Sequence, residues 1–231
     1  MSLSNEALFL TMTILCMSGA LLAYKFGRRG LEAFVIASTL SIYIAAGKVI
    51  NVWDFTIPAI LPVYSGIFLA TDILTEYYGK QAGYRMIRLA FGAALFFNIV
   101  LQVAIVFDPV VEVTMLSNSL DQVIGTSLRI FMASITAYLI AQHFDVWFYH
   151  FLHKRAGGKR LWLRNNLSTA ISQLLDAVIF VTIAFYGIIP NLIEFIIVVW
   201  LAKLLVALLD TPFMYLSRKI TPVKFSQSLD E

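Results

Sequence analysis

Two short stretches of this chain, AQHFDVW (141–147) and SQLLDAV (172–178), each place a glutamine and an aspartate three residues apart inside apolar sequence. On a helix that spacing puts both side chains on one face, about one turn apart. The pair offers carboxylate acceptors and an amide donor side by side. Further charges stand in apolar surroundings: Lys48, Asp72, Arg129, Lys203 and Asp210, with Glu76 at the edge of its segment. A charge at the centre of a membrane-spanning helix costs about 2.5–3.5 kcal/mol on insertion scales. Such groups need internal partners or a water-filled cavity, and they are the candidate functional residues.

Helical geometry sorts these residues onto faces. Ser134, Tyr138, Gln142 and Asp145 fall within an arc of roughly 80°. Thr169, Ser172, Gln173 and Asp176 fall within roughly 100°, and Ser65, Asp72 and Glu76 within roughly 40°. Lys203 and Asp210, seven residues apart, share a face with Trp200 one turn away, whereas Arg129 points roughly 140° from the Tyr138 stripe. Hydroxyls on such stripes also serve as packing glue between membrane helices, but a carboxylate such as Asp145 or Asp176 is too costly for that role alone. Asp72 and Glu76 have a blander alternative, pairing with Lys80, Arg85 or Arg88 in interfacial water. For Lys203 and Asp210 a structural ion pair between helices stands beside a ligand role.

The elements that position these groups follow from composition. Of 231 residues, 60% are hydrophobic and 13% charged, where a soluble domain runs nearer a quarter charged. Seven hydrophobic segments span 7–24, 31–50, 57–77, 84–107, 122–152, 166–188 and 191–216, on the scale of the ~20 residues that cross a bilayer core. The expectation is an all-α integral membrane protein with seven transmembrane helices, forming a single membrane domain over 1–231. Only the connections 108–121 and 153–165 are long. The first segment lacks a basic leader and is read as a retained helix. Cys16 is the single cysteine, so no intramolecular disulfide can form. Pro58, Pro62 and Gly66 at the start of segment three suggest either an interrupted helix beside a cavity or an ordinary kink.

Fourteen of the 17 basic residues lie on alternate connections, around 25–29, 80–88, 154–164 and 218–224. The intervening loops carry none, and 108–121 is acidic. The positive-inside rule then places the amino terminus outside and the carboxyl terminus in the cytoplasm. The basic loop is therefore a topology signal, and no nucleic-acid partner is expected.

Longer stretches carry a resemblance. ATDILTEYYGKQAGYR (70–85), RIFMASITAYLIAQHFDVWFYHFL (129–152) and LWLRNNLSTAISQLLDAVIFVTIAFYG (161–187) resemble the queuosine precursor transporter family, also described as a vitamin uptake transporter family. IAAGKVI (44–50) is a weaker version of that family's Ala-x-Lys segment. The resemblance covers most of 40–215 and implies a six-helix core like the S-components of ECF vitamin transporters, preceded here by one extra helix. It implies import of a 7-deazaguanine precursor, such as 7-cyano-7-deazaguanine, across the cytoplasmic (plasma) membrane. No enzyme activity, cofactor or metal is implied.

A deazaguanine base presents a ring N–H and an amino group on one edge, which a carboxylate accepts together while an amide donates to the ring carbonyl. Asp176 and Gln173 are therefore assigned to the base edge, beside Ser172. Gln142 and Asp145 form a second polar wall or inner gate. Tyr138 or Trp200 supplies an aromatic face, and Arg129 or Lys48 balances charge. Asp72, Glu76, Lys203 and Asp210 are candidates for gating or coupling. A separate energising module is a further expected partner, since the chain carries no phosphate-binding loop and Ala33-x-x-x-Ala37 offers a docking face. An S-component for another vitamin-like heterocycle is the alternative. More distant readings are a retinal-binding protein using Lys203 and a membrane enzyme using His143, His150 and His153.

Overall fold

The computed structural model describes residues 4–45, 48–53, 55–124, 128–155, 161–187 and 191–222. The chain order is α1 (Asn5–Lys25), α2 (Gly27–Ala45), β1 (Val49–Val52), β2 (Phe55–Pro58), α3 (Leu61–Tyr78) and α4 (Lys80–Ala104). A short 3-10 turn (Val111–Val113) leads into α5 (Thr114–Ile124), α6 (Leu128–Arg155), α7 (Leu161–Phe185), α8 (Leu192–Leu208) and α9 (Thr211–Ser217). Among the described residues, α1, α4 and the Asn165–Phe185 part of α7 are long and apolar enough to cross a membrane by length and composition.

The centre of the bundle is α3. Every residue from Leu61 to Thr75 except Tyr64 is buried, and α1, α2, α4, α6, α8 and α9 all pack on it. Close approach of α1 depends on Gly66, where a Cβ would stand 3.0 Å from the Cys16 carbonyl and 3.1 Å from the Phe34 ring. The first helix, which precedes the rest of the bundle in the chain, packs directly on α3. The turn from α3 to α4 runs through Gly79 at φ 84°, a left-handed conformation that side-chain-bearing residues adopt at a cost.

Segments two and three are shorter as helices than their apolar runs. Val49–Val52 and Phe55–Pro58 instead form an antiparallel hairpin, pairing Ile50 with Ile57 and Asn51 with Thr56. β-branched residues fill three of the four positions of β1 and two of the four of β2, and they favour a pleated surface. The hairpin covers the start of α1: Phe9 meets Trp53 edge-on at 6.1 Å, and Asn5 Nδ2 donates to the Asn51 carbonyl at 3.0 Å. Neither proline kinks a helix. Pro58 ends β2, and Pro62 falls in the first turn of α3, where its missing N–H has no intrahelical acceptor to lose.

Two further departures bear on the site. The acidic 108–121 connection is largely helical, as the 3-10 turn and α5. Segment seven is two helices, because the chain breaks at Leu209–Asp210 and restarts with Pro212 in the first turn of α9.

Around an apolar core the surface is apolar too, while several polar groups are buried. Ile14, Leu15 and Leu22 on α1 and Phe96, Ile99 and Val103 on α4 are exposed, whereas Asp72, Gln142, Asp145, Asn165, Gln173 and Asp210 are inside. A large apolar surface with polar groups held inside is what a bilayer environment selects.

Candidate functional site

A continuous polar face runs along α7. Asn165, Ser168, Thr169, Ser172, Gln173 and Asp176 recur at three- and four-residue spacing, and the first five are buried. Eleven helical steps from Asn165 to Asp176 make a column about 16 Å long. The helices packed most extensively on α7 are α6 and α8.

Toward the Phe185 end of the column, Asp176 forms an ion pair with Lys203 of α8. Their side chains are 13% and 8% exposed. The lysine ammonium also lies 5.0 Å from the centre of the Tyr64 ring, within cation–π range. Tyr64 in turn is in electrostatic reach of Asp176, Tyr43 and Tyr138. Gln173, nearly one turn along α7, is buried, and its Oε1 has no hydrogen-bond partner among the described residues.

Toward the Leu161 end the groups are sealed. Asp145 Oδ1 accepts from Ser168 Oγ at 3.0 Å and Ser172 Oγ at 2.9 Å. Asn165 Nδ2 donates to Asp210 Oδ1 at 2.7 Å, and Thr211 Oγ1 donates to Asn166 Oδ1 at 3.0 Å. Asp145, Asn165 and Asp210 have no exposed surface. Asp210 caps α9 by position only, because its carboxylate is turned to α7.

These contacts reassign several expected roles. Ser172 bonds Asp145, so it belongs with the sealed end rather than with Asp176. Gln142 is buried one turn before Asp145. Lys203 pairs across to α7 instead of sharing a continuous helix face with Asp210. Lys48 lies between α2 and β1 with an exposed side chain, so Lys203 is the cation beside Asp176. Arg129 falls in the first turn of α6, and its side chain is outside the described residues. Trp200 is held against α7, its Nε1 donating to the Ala170 carbonyl at 3.0 Å, and Tyr138 is partly buried.

Asp72 is 1% exposed, which removes it from interfacial water. Glu76 accepts from the Tyr149 hydroxyl at 3.2 Å and contacts His153 Nδ1 at 3.3 Å, while Arg85 approaches Glu32 at 3.8 Å. The other histidines have local roles. His143 Nδ1 meets the Leu139 carbonyl at 2.7 Å, and His150 stacks on His153. Ala33 and Ala37 are exposed on α2.

Two contributors were not singled out from sequence. Asn165 continues the α7 periodicity one turn earlier, and that signal was present in the RNN stretch. Tyr64 had no local signal, since its place beside Lys203 depends on how α3 meets α8.

Apolar-surfaced helices around an ion pair, amides and aromatic rings suit a membrane protein with a polar interior site for a small molecule. Residues 58–217 match the family described as "Putative vitamin uptake transporter". The chain is also 31% identical over 222 residues to the "Probable queuosine precursor transporter" of Bacillus subtilis (strain 168), covering 94% of this chain and 96% of that protein. No solved structure matches it. The chain belongs to the queuosine precursor and vitamin uptake transporter family, and it is a transporter rather than an enzyme. Membership removes the enzyme reading of the three histidines.

Proposed function

We propose that this protein imports a 7-deazaguanine precursor of a modified nucleoside, such as 7-cyano-7-deazaguanine, across the cytoplasmic membrane. The observation that carries the reading is the Asp176–Lys203 pair next to Gln173 and under Tyr64. A carboxylate accepts the ring N–H and amino group of such a base together, and the ammonium or the glutamine amide donates to its carbonyl. The Tyr64 ring supplies a flat apolar face of matching shape. Asp176 keeps partial exposure, which a ligand-facing group requires, whereas the fully buried Asp145 does not serve the base. The name of the Bacillus subtilis relative points to the same substrate class.

In this reading seven spans cross the bilayer, α8 and α9 together making the last, with the amino terminus outside and the carboxyl terminus in the cytoplasm. The ion pair has a second use in the empty state. It keeps a carboxylate available in an apolar bundle without leaving the charge uncompensated. Substrate then replaces part of that compensation, so an analogue lacking the amino group leaves an acceptor unpaired and binds worse.

The test is uptake of labelled 7-cyano-7-deazaguanine into cells without their own importer. Wild type accumulates the label, and Asp176→Ala at equal expression does not. Near-normal uptake by Asp176→Ala would sink the assignment of the base edge. The family description favours one other cargo class, a vitamin-like heterocycle with a different hydrogen-bonding edge. A substrate panel read by thermal shift separates it, because that reading expects a vitamin to stabilise the protein more than the deazaguanine.

A further inference from the structure

The sealed end of the column holds more buried acceptors than donors. Asp145 and Asp210 are each bonded through Oδ1, yet Oδ2 of both has no hydrogen-bond partner among the described residues. The amide oxygens of Asn165 and Gln142 are buried in the same condition. The residues that grip the two carboxylates, Asn165 and Ser168, are three positions apart on one face of α7, so they stand about 5–6 Å apart. Among the described residues, no lysine, arginine or histidine pairs with either carboxylate. Carboxylate and amide oxygens can only accept, and two neighbouring carboxylates in an apolar bundle cannot both stay charged without a counter-charge.

The backbone adds a second, independent feature. The last span breaks at this depth, between the end of α8 at Leu208 and the start of α9 at Thr211. A helix end leaves its last four carbonyls without intrahelical partners, and such broken helices coordinate coupling cations in transporters of other folds.

We propose that Asp145 and Asp210, together with the Asn165 amide oxygen, form an inner site for one monovalent cation, a proton or a sodium ion, whose binding is coupled to transport. The site is distinct from the Asp176–Lys203 pair and carries the energetic role for which a separate module was expected. It rests on the transport reading, but not on the identity of the cargo. A proton closes the site by turning one carboxylate into a donor toward the other. A sodium ion closes it by taking the free oxygens as ligands. Among the described residues packed nearby, Glu76 of α3 contacts Tyr149 and His153, Lys203 of α8 pairs with Asp176, and Asp72 of α3 is buried.

Purified full-length protein reads the cation without any organic substrate. Choline is replaced by sodium at constant ionic strength near pH 8, and separately the pH is lowered in choline from about 8 to about 5. Sodium occupancy predicts a melting temperature that rises with sodium. Proton occupancy predicts stability gained as pH falls, because the folded pair binds a proton that the unfolded chain does not hold at that pH, and lost again as pH rises. Either rise is smaller in Asp210→Asn and Asp145→Asn, since an amide needs no counter-charge. Equal responses in wild type and both variants overturn the site.

Where the variants fold poorly, transport by wild type in proteoliposomes decides. An inward gradient of the relevant cation raises accumulation about tenfold over no gradient, and a water-filled site with no cation role shows none. Absence of substrate uptake under every gradient, with the cation-dependent stabilisation intact, sinks the cargo assignment and leaves the ion site standing.

Discussion

Asp176 and Lys203 come from different helices, and neither charge could remain in an apolar bundle alone. Removing one partner of a buried pair leaves the other uncompensated, which costs about 3–5 kcal/mol. Lys203→Met is therefore expected to lower thermal stability by about 3 kcal/mol, and the double variant Asp176→Asn/Lys203→Met to recover most of it. Chemical or thermal denaturation of purified protein measures both. Transport separates the roles: both variants lose uptake if the pair holds the base. Tyr64→Ala is expected to raise the KM for uptake about tenfold through lost ring contact, while Tyr64→Phe stays close to wild type. The charges and the Gln-x-x-Asp pairs were legible as residues in apolar surroundings. Their partners were not, because a buried lysine can reach any carboxylate that packing brings near, and spacing along one helix does not say which neighbouring helix supplies it.

Helix existence was readable wherever apolar runs exceeded the length of a span, and helix ends were not. The segment 191–216 reads as one continuous run, yet Asp210 and Pro212 break it, since the carboxylate bonds Asn165 on α7 instead of joining a helix face. The stretch 49–58 falls across the expected end of one helix, a connection and the start of the next, because short apolar stretches carry no decisive period. Trp53, held at φ 46° between the strands, marks the turn that ends the ambiguity. Close packing of α1 on α3 makes its own prediction. Gly66→Leu forces a side chain into the Cys16 carbonyl and the Phe34 ring, and overpacking of this kind costs about 1–3 kcal/mol. Its melting temperature is expected to fall well below that of a Gly92→Leu control, where a Cβ meets nothing within 4 Å.

At the scale of the molecule, charge asymmetry and surface composition point the same way. In the proposed orientation, with the amino terminus outside, the α3–α4 turn faces the cytoplasm and α5 faces the exterior. In a Cys16→Ser background, Asn118→Cys is expected to react with an impermeant thiol reagent on intact cells, and Gln81→Cys only after permeabilisation. Both positions are exposed. The reverse pattern would invert the topology and send the Asp145–Asp210 site to the outer side. Membrane class, basic-loop alternation and the polar stripes of α3, α6 and α7 were legible in the sequence alone, because bilayer insertion depends on composition and period, which are local. Which stripe groups meet, which are sealed, and where the last span breaks were decided by tertiary packing. Those outcomes depend on contacts between residues tens of positions apart, such as Asp176 with Lys203 and Asn165 with Asp210, for which one-dimensional spacing carries no distance.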